Sequence, residues 1–169
     1  RASMEETFRG FHRRTGGTFV YVTHGQAEAM ALADRIAVMN HGRLEPWDTP
    51  EQLYQYPQNT WVARFIGQGS ILYVHRNTDN RLLSGPEVMQ LLSSSLGSTR
   101  QAIPVRPEHA RVVENGIEVK VLSRVFKGER YKYAARLQDG QELGFFHPAR
   151  LELERKVCVQ VEQAWDLLD

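Results

Sequence analysis

The first residues able to do chemistry are Val22-Thr23-His24. Upstream of them, Thr18 to Val22 is a β-branched and aromatic run that predicts a fully buried strand. Downstream, the apolar pattern changes to helical spacing between Gln26 and Ile36. Thr23 and His24 are therefore expected where a strand hands over to a helix. In open α/β sheets that edge is where ligands bind, and an imidazole there could reach the end of a nucleotide. The plainer role is a histidine capping a turn. A second concentration is basic and aromatic: Phe126, Lys127, Arg130, Tyr131, Lys132 and Tyr133. On a small barrel such a cluster could stack and neutralise a single nucleic-acid strand. Alternation, however, puts Tyr131 and Tyr133 on one face, where at least one is expected in the core, with lysines on a solvated face opposite. Nucleic acid is therefore not an expected partner. Arg106 and Glu108 are expected to pair across a turn, an exposed contact of about 0–1 kcal/mol.

The elements that position these residues are legible in part. Ala2 to Arg14 predicts a helix, with Met4, Phe8 and Phe11 as its core side. Ile36 to Met39 predicts a second apolar strand, turning tightly at Asn40-His41-Gly42-Arg43. Thr49 as N-cap and Pro50 at the first helical position open a helix reaching Tyr54 and Pro57. After the amphipathic stretch Trp61 to Ile66, the glycines of Gly67-Gln68-Gly69-Ser70 mark a domain boundary near Gly67. The chain thus divides into residues 1–66 and 67–169. Ser84-Gly85-Pro86-Glu87 starts a helix whose buried side is Val88, Met89, Leu91 and Leu92, and Ser93 to Thr99 is loop-like in composition. From Ile103 onward short strands alternate with turn signals. Ile117, Val119 and Val121 alternate, Lys127-Gly128-Glu129 turns, Tyr131 to Gln138 returns, and Leu143 to Phe146 and Val157, Val159 and Val161 follow. Asp139-Gly140 is the strongest hairpin signal, since both residues tolerate the positive φ of a primed turn. About five strands in this space predict an OB-like barrel.

Composition narrows the function classes. With 21 basic and 20 acidic residues the net charge is +1, which gives no reason to expect a strongly electrostatic partner. One cysteine, Cys158, excludes an internal disulfide framework and fits a reducing compartment. No apolar run approaches the roughly 18 residues needed to cross a bilayer. The histidines are scattered, and no Cys/His spacing points to a zinc site, so no metal ligand is assigned.

The stretch TFVYVTHGQAEAMALADRIAVMNHGRLEPWDTPEQLYQYP, Thr18 to Pro57, resembles the switch region of ABC importer ATPases, in which a strand ends in Val-Thr-His and a helix similar to QAEAMALADRIAVM follows. The resemblance implies that His24 is the catalytic switch histidine, contacting the γ-phosphate and the attacking water, with Thr23 and Gln26 in supporting roles at best. The sequence departs from the family's pattern at two places: Gly25 stands where an aspartate is usual, and Pro46-Trp47 where a glutamine and a small apolar residue are usual. A glycine beside the histidine loosens the backbone there. VRPEH at Val105 to His109, the turn at Gly128 and LQDG at Leu137 to Gly140 look like the TOBE domain appended to many of these ATPases, where it helps to hold the ATPase dimer and can carry regulation. The expected fold is therefore an α/β fragment, the end of an ABC ATPase domain over residues 1–66, followed by a mostly β OB-like barrel, the TOBE domain, over residues 67–169.

No GxxxxGK[ST] loop occurs in the chain, so nothing in it cradles phosphates with backbone amides and a lysine. The family's signature loop and catalytic glutamate are also missing, and the resemblance places both upstream of Arg1. The chain is read as the last part of a longer subunit. ATP and Mg2+ are expected for that parent and no cofactor for this chain alone. The resemblance further implies a second copy as partner in a homodimer, transmembrane permease subunits, a periplasmic or surface solute-binding protein, and a peripheral place on the cytoplasmic face of the bacterial inner membrane. Phe65 to Leu72 and Leu122 to Gly140 look most like ferric-ion importers, with polyamine, phosphonate and sugar importers open. The rival classes are an isolated regulatory or interaction module and an OB-fold binder of single-stranded nucleic acid.

Overall fold

The structure is a computed structural model that describes residues 4–75, 81–94 and 100–167. It forms two compact units, Arg1–Gln55 and Tyr56–Asp169. The glycine-rich stretch had placed the boundary near Gly67; the compact units divide between Gln55 and Tyr56. The segment Tyr56 to Ile66 lies within the second unit, and its helix packs against strands of that unit.

In the first unit α1 (Met4–Thr15) is followed by an extended segment and then α2 (Gln26–Leu32). Thr18 to Val22 forms no strand. A strand exists only by pairing, and no described residue pairs with this run, so Val20 and Val22 are left 89% and 88% exposed. The rings of Phe8 and Phe11 meet those of Tyr21 and Phe19 at 5.8 and 5.5 Å. These contacts cover one side of each ring, so Phe8 and Phe11 are exposed rather than in a core as expected. The side chain of Met4 lies outside the described residues. Helix α2 is shorter than the spacing predicted, because Ala33 turns extended at φ −86 and ψ 140. Beyond it the Arg35 guanidinium stacks over Trp47 at 4.2 Å, and Ile36 is drawn into a bridge with Asp48. The predicted strand of residues 36–39 is reduced to that bridge and to β1 (Met39–Asn40), which pairs with β2 (Arg43–Leu44). Their turn carries His41 at φ 45 and Gly42 at φ 78, the two positive angles of a primed hairpin turn. Helix α3 (Pro50–Gln55) starts as predicted, with Gln52 N donating to Thr49 Oγ1 at 3.2 Å.

The second unit opens with α4 (Thr60–Phe65), capped by Asn59, whose Oδ1 accepts from Val62 N at 2.8 Å. Strand β3 (Ser70–His75), β4 (Leu82–Ser84), α5 (Gly85–Ser93) and β5 (Arg100–Val105) follow. The loop expected over Ser93 to Thr99 falls largely on residues 95–99, outside the described residues. Helix α5 begins with a capping box: Ser84 N and Oγ donate to Glu87 Oε2 at 2.9 and 2.8 Å. Its side Val88, Met89, Leu91 and Leu92 packs on the core as expected. Then come the 3-10 turn η1 (Pro107–His109), β6 (Ala110–Val113), β7 (Ile117–Phe126), β8 (Tyr131–Leu137), β9 (Glu142–His147), β10 (Lys156–Val161) and β11 (Gln163–Trp165).

Five of these strands make one antiparallel sheet in the order β6-β10-β7-β8-β9, while β3 pairs with β5 and β11 with β4. Side chains join β9 to β3. Gly144 N donates to Ser70 Oγ at 2.8 Å, and the Gln141 amide exchanges two hydrogen bonds with the main chain of Tyr73, at 2.5 and 3.0 Å. The sheet so extended curls round one core that includes Leu72, Ile103, Val119, Val121, Tyr133 and Phe145, all at most 1% exposed. This is the OB-like barrel that the strand count predicted. The Asp139-Gly140 hairpin differs from expectation in detail. Only Gly140 has positive φ, at 89, and Leu137 N bonds to Gln141 O at 2.8 Å, so the connection is a turn closed by a glycine bulge.

Candidate functional site

His24 occupies the bend immediately before α2, with its side chain exposed. The turn that holds it is made by its neighbours. Gly25 N donates to Thr23 Oγ1 at 2.9 Å, and the same hydroxyl donates to Glu28 Oε2 at 3.0 Å. Tyr21 OH adds a second donor to that carboxylate at 3.3 Å. Ala29 N donates to Gly25 O at 3.0 Å, so the first helical hydrogen bond starts one residue after His24. Thr23 is thus the turn's hinge pin, and Gln26 is the first residue of the helix.

Glu28 was not singled out from the sequence, although it stands three residues after Gly25, the spacing of a capping-box carboxylate. It explains the departure at Gly25. A Cβ there would lie 3.0 Å from Glu28 Oε2 and 3.3 Å from Thr23 Oγ1, so the glycine leaves room for Glu28 to fold back onto the turn. An aspartate in its place would set a second carboxylate against the first, a like-charge contact.

Arg106, expected on the surface opposite Glu108, is instead 4% exposed. Its Nη1 donates to Ile66 O at 2.8 Å and to Ala63 O at 3.3 Å, the carbonyls at the end of α4. A guanidinium buried in this way satisfies acceptors that the helix itself leaves open, which an exposed ion pair would not require.

The TOBE domain family matches residues 103–164. Among curated relatives, the spermidine/putrescine import ATP-binding protein PotA of Legionella pneumophila is 30% identical over 189 residues, covering 99% of this chain and 52% of the relative. The protein of the same name from Mycoplasmopsis synoviae is 32% identical over 148 residues, 82% of this chain and 32% of the relative. An uncharacterized ABC transporter ATP-binding protein of Sinorhizobium fredii is 39% identical over 129 residues, 72% of this chain and 35% of the relative. The chain matches part of the ATP-binding subunits of ABC importers and carries a TOBE domain. It spans about a third to a half of the length of these relatives.

The TOBE match begins inside β5 and ends inside β11, so it takes in the whole five-stranded sheet. The basic and aromatic cluster lies on the β7–β8 hairpin of that TOBE domain. Tyr133 is fully buried, as the alternation required; its hydroxyl donates to Ala149 O at 2.9 Å and accepts from Leu151 N at 2.8 Å. Arg130 stacks over Phe146 at 3.9 Å. Lys132 Nζ donates to Gln68 Oε1 at 2.8 Å, and burial, with Lys127 nearby, pulls its pKa below the usual lysine value. Tyr133, Arg130 and Lys132 are thus engaged within the domain, while Lys127 and Phe126, the latter at 59% exposure, face solvent. No helix among the described residues is long and apolar enough to cross a membrane.

Proposed function

We propose that this chain is the carboxyl-terminal part of the ATP-hydrolysing subunit of a bacterial ABC importer, in which hydrolysis drives solute uptake. The observation that carries the reading is His24, exposed at the entry to α2 and set there by the Thr23–Gly25–Glu28 turn, in a chain that matches importer ATP-binding subunits along most of its length. In the complete subunit His24 is the switch histidine that faces the terminal phosphate of ATP with Mg2+. The subunit works as a homodimer on the cytoplasmic face of the inner membrane, beneath two permease subunits fed by a solute-binding protein. The TOBE domain serves dimer contact and regulation.

The residues of this chain do not by themselves fit a nucleotide. No phosphate-cradling loop occurs in the sequence, so nothing in it holds the phosphates with backbone amides and a lysine. Binding and hydrolysis therefore belong to the complete subunit, and no step of hydrolysis is assigned within these residues.

For the solute, the relatives' names support a polyamine over the ferric ion read from Phe65 to Leu72 and Leu122 to Gly140. Uptake of labelled spermidine and of labelled ferric ion, measured in cells with and without the complete importer, separates the two. Loss of spermidine uptake alone supports the polyamine reading; loss of iron uptake alone restores the ferric one. A second reading, that the barrel also acts as an interaction module in its own right, is favoured by the self-contained core of the second unit.

A further inference from the structure

Residues 56–66 lie just before the glycines of Gly67-Gln68-Gly69-Ser70, where a linker would be expected, and their chemistry is wrong for one. Val62 and Ala63 are fully buried and Ile66 is 2% exposed. Ala63 packs in a small apolar cluster with Ala102 of β5 and Leu167. Arg64 Nη2 donates to the hydroxyl of Tyr73 on β3 at 3.0 Å, and Tyr56 sets its ring edge against Trp165 of β11 at 4.8 Å. A six-residue helix has too few internal hydrogen bonds to persist by itself, so what holds α4 must come from outside it.

The strongest of these supports is a charged one. The helix leaves its last carbonyls without partners inside the helix, and two of them, Ala63 O and Ile66 O, receive the same Arg106 nitrogen at 3.3 and 2.8 Å. Positive charge is favoured at that end of a helix. The chain has made room for the contact: a Cβ on Gly69 would lie 2.9 Å from Arg106 Nη1 and 3.0 Å from the carbonyl oxygen of Val105. Arg106 itself is fixed at the end of β5, between a buried strand and Pro107 of η1. A side chain mounted on the barrel thus ends the helix that precedes the barrel.

We infer that Arg106 is a positioning residue that latches α4 to the barrel, so that residues 56–66 are a rigid part of the barrel domain and not a flexible connection to it. The arginine of the VRPEH motif thereby has a job: it fixes the path by which the chain enters the barrel. Lysine replaces it only in part, because an ammonium is more strongly hydrated than a guanidinium and costs more to bury at this position.

The test is hydrogen exchange on the full chain, comparing the original protein with Arg106→Met and Arg106→Lys. In the original, the amides of Ala63 and Ile66 exchange as slowly as those of β3. In Arg106→Met their protection falls by about tenfold or more while that of β8 changes by less than about threefold. Arg106→Lys falls in the same place by a smaller factor, and it carries the test should the methionine variant fail to fold. Limited trypsin digestion gives a second readout, since cleavage after Arg64 becomes rapid only when α4 is released. Unchanged protection at α4 in both variants overturns the inference. A parallel loss in α4 and β8 also overturns it, because Arg106 would then be a strut of the whole core.

Discussion

Arg106 Nη1 lies 2.8 Å from the carbonyl oxygen of Ile66, a bond that joins residues far apart in sequence across the back of Gly69. The glycine is needed for the approach of the two backbones and not for an unusual φ. Gly69→Ala is therefore expected to destabilise the barrel unit by about 1–3 kcal/mol, since the added methyl meets both the guanidinium and a main-chain oxygen that cannot move freely. Urea unfolding of the two proteins, followed by far-ultraviolet circular dichroism, gives the difference. A variant of unchanged midpoint would mean the loop yields without cost.

Tyr133 offers a test of the buried polar network. Its hydroxyl bridges Ala149 O and Leu151 N across the connection from β9 to β10, with Arg124 Nη1 adding a bond to Leu151 O at 2.6 Å. Tyr133→Phe leaves the buried Leu151 amide without that partner, which costs about 1–3 kcal/mol. Exchange at the Leu151 amide should quicken more than exchange in β7. Equal changes at both would show that the hydroxyl holds no particular loop.

The carboxyl of Glu87 is held down to about 2, first by the Arg81 guanidinium bonded to it at 2.6 Å, then by the amide and hydroxyl of Ser84. A depressed carboxylate contributes stability that is complete above the ordinary carboxylate range and is lost as the pH falls through that range toward 2. Start-of-helix order in α5 should follow the same curve. Carbon-detected titration of Glu87 should give a midpoint near 2 in the original protein, rising toward the ordinary value in Arg81→Met. The same midpoint in both proteins would remove Arg81 as the cause.

Titration calorimetry of this chain with Mg-ATP should show no saturable heat, and the chain should not hydrolyse ATP above background, because its sequence has no phosphate-cradling loop. Binding at one defined site in the micromolar range would overturn the assignment of nucleotide binding to other residues of the subunit.

What was legible in the sequence was what local chemistry decides. The Thr49-Pro50 and Ser84–Glu87 helix starts, the turn at His41-Gly42 and the alternation that buries Val119, Val121 and Tyr133 are all local, and all are present. The illegible parts depend on distant partners. Thr18 to Val22 has the composition of a strand, but composition supplies no neighbour to pair with, and the run stays extended and exposed. Arg106 reads as a surface charge until α4 is folded against it, and nothing local marks Gln141, whose amide meets the main chain of Tyr73. At the site, Val22-Thr23-His24 was visible from the strand-to-helix change. Glu28, which organises that turn, was hidden among the residues of a helix.

ATP turnover by the complete subunit tests the role proposed for His24. His24→Ala is expected to lower turnover by about 100-fold or more, the scale of removing one group that stabilises the transition state, while nucleotide affinity stays within about threefold. Undiminished turnover in His24→Ala, at unchanged affinity, would contradict the account.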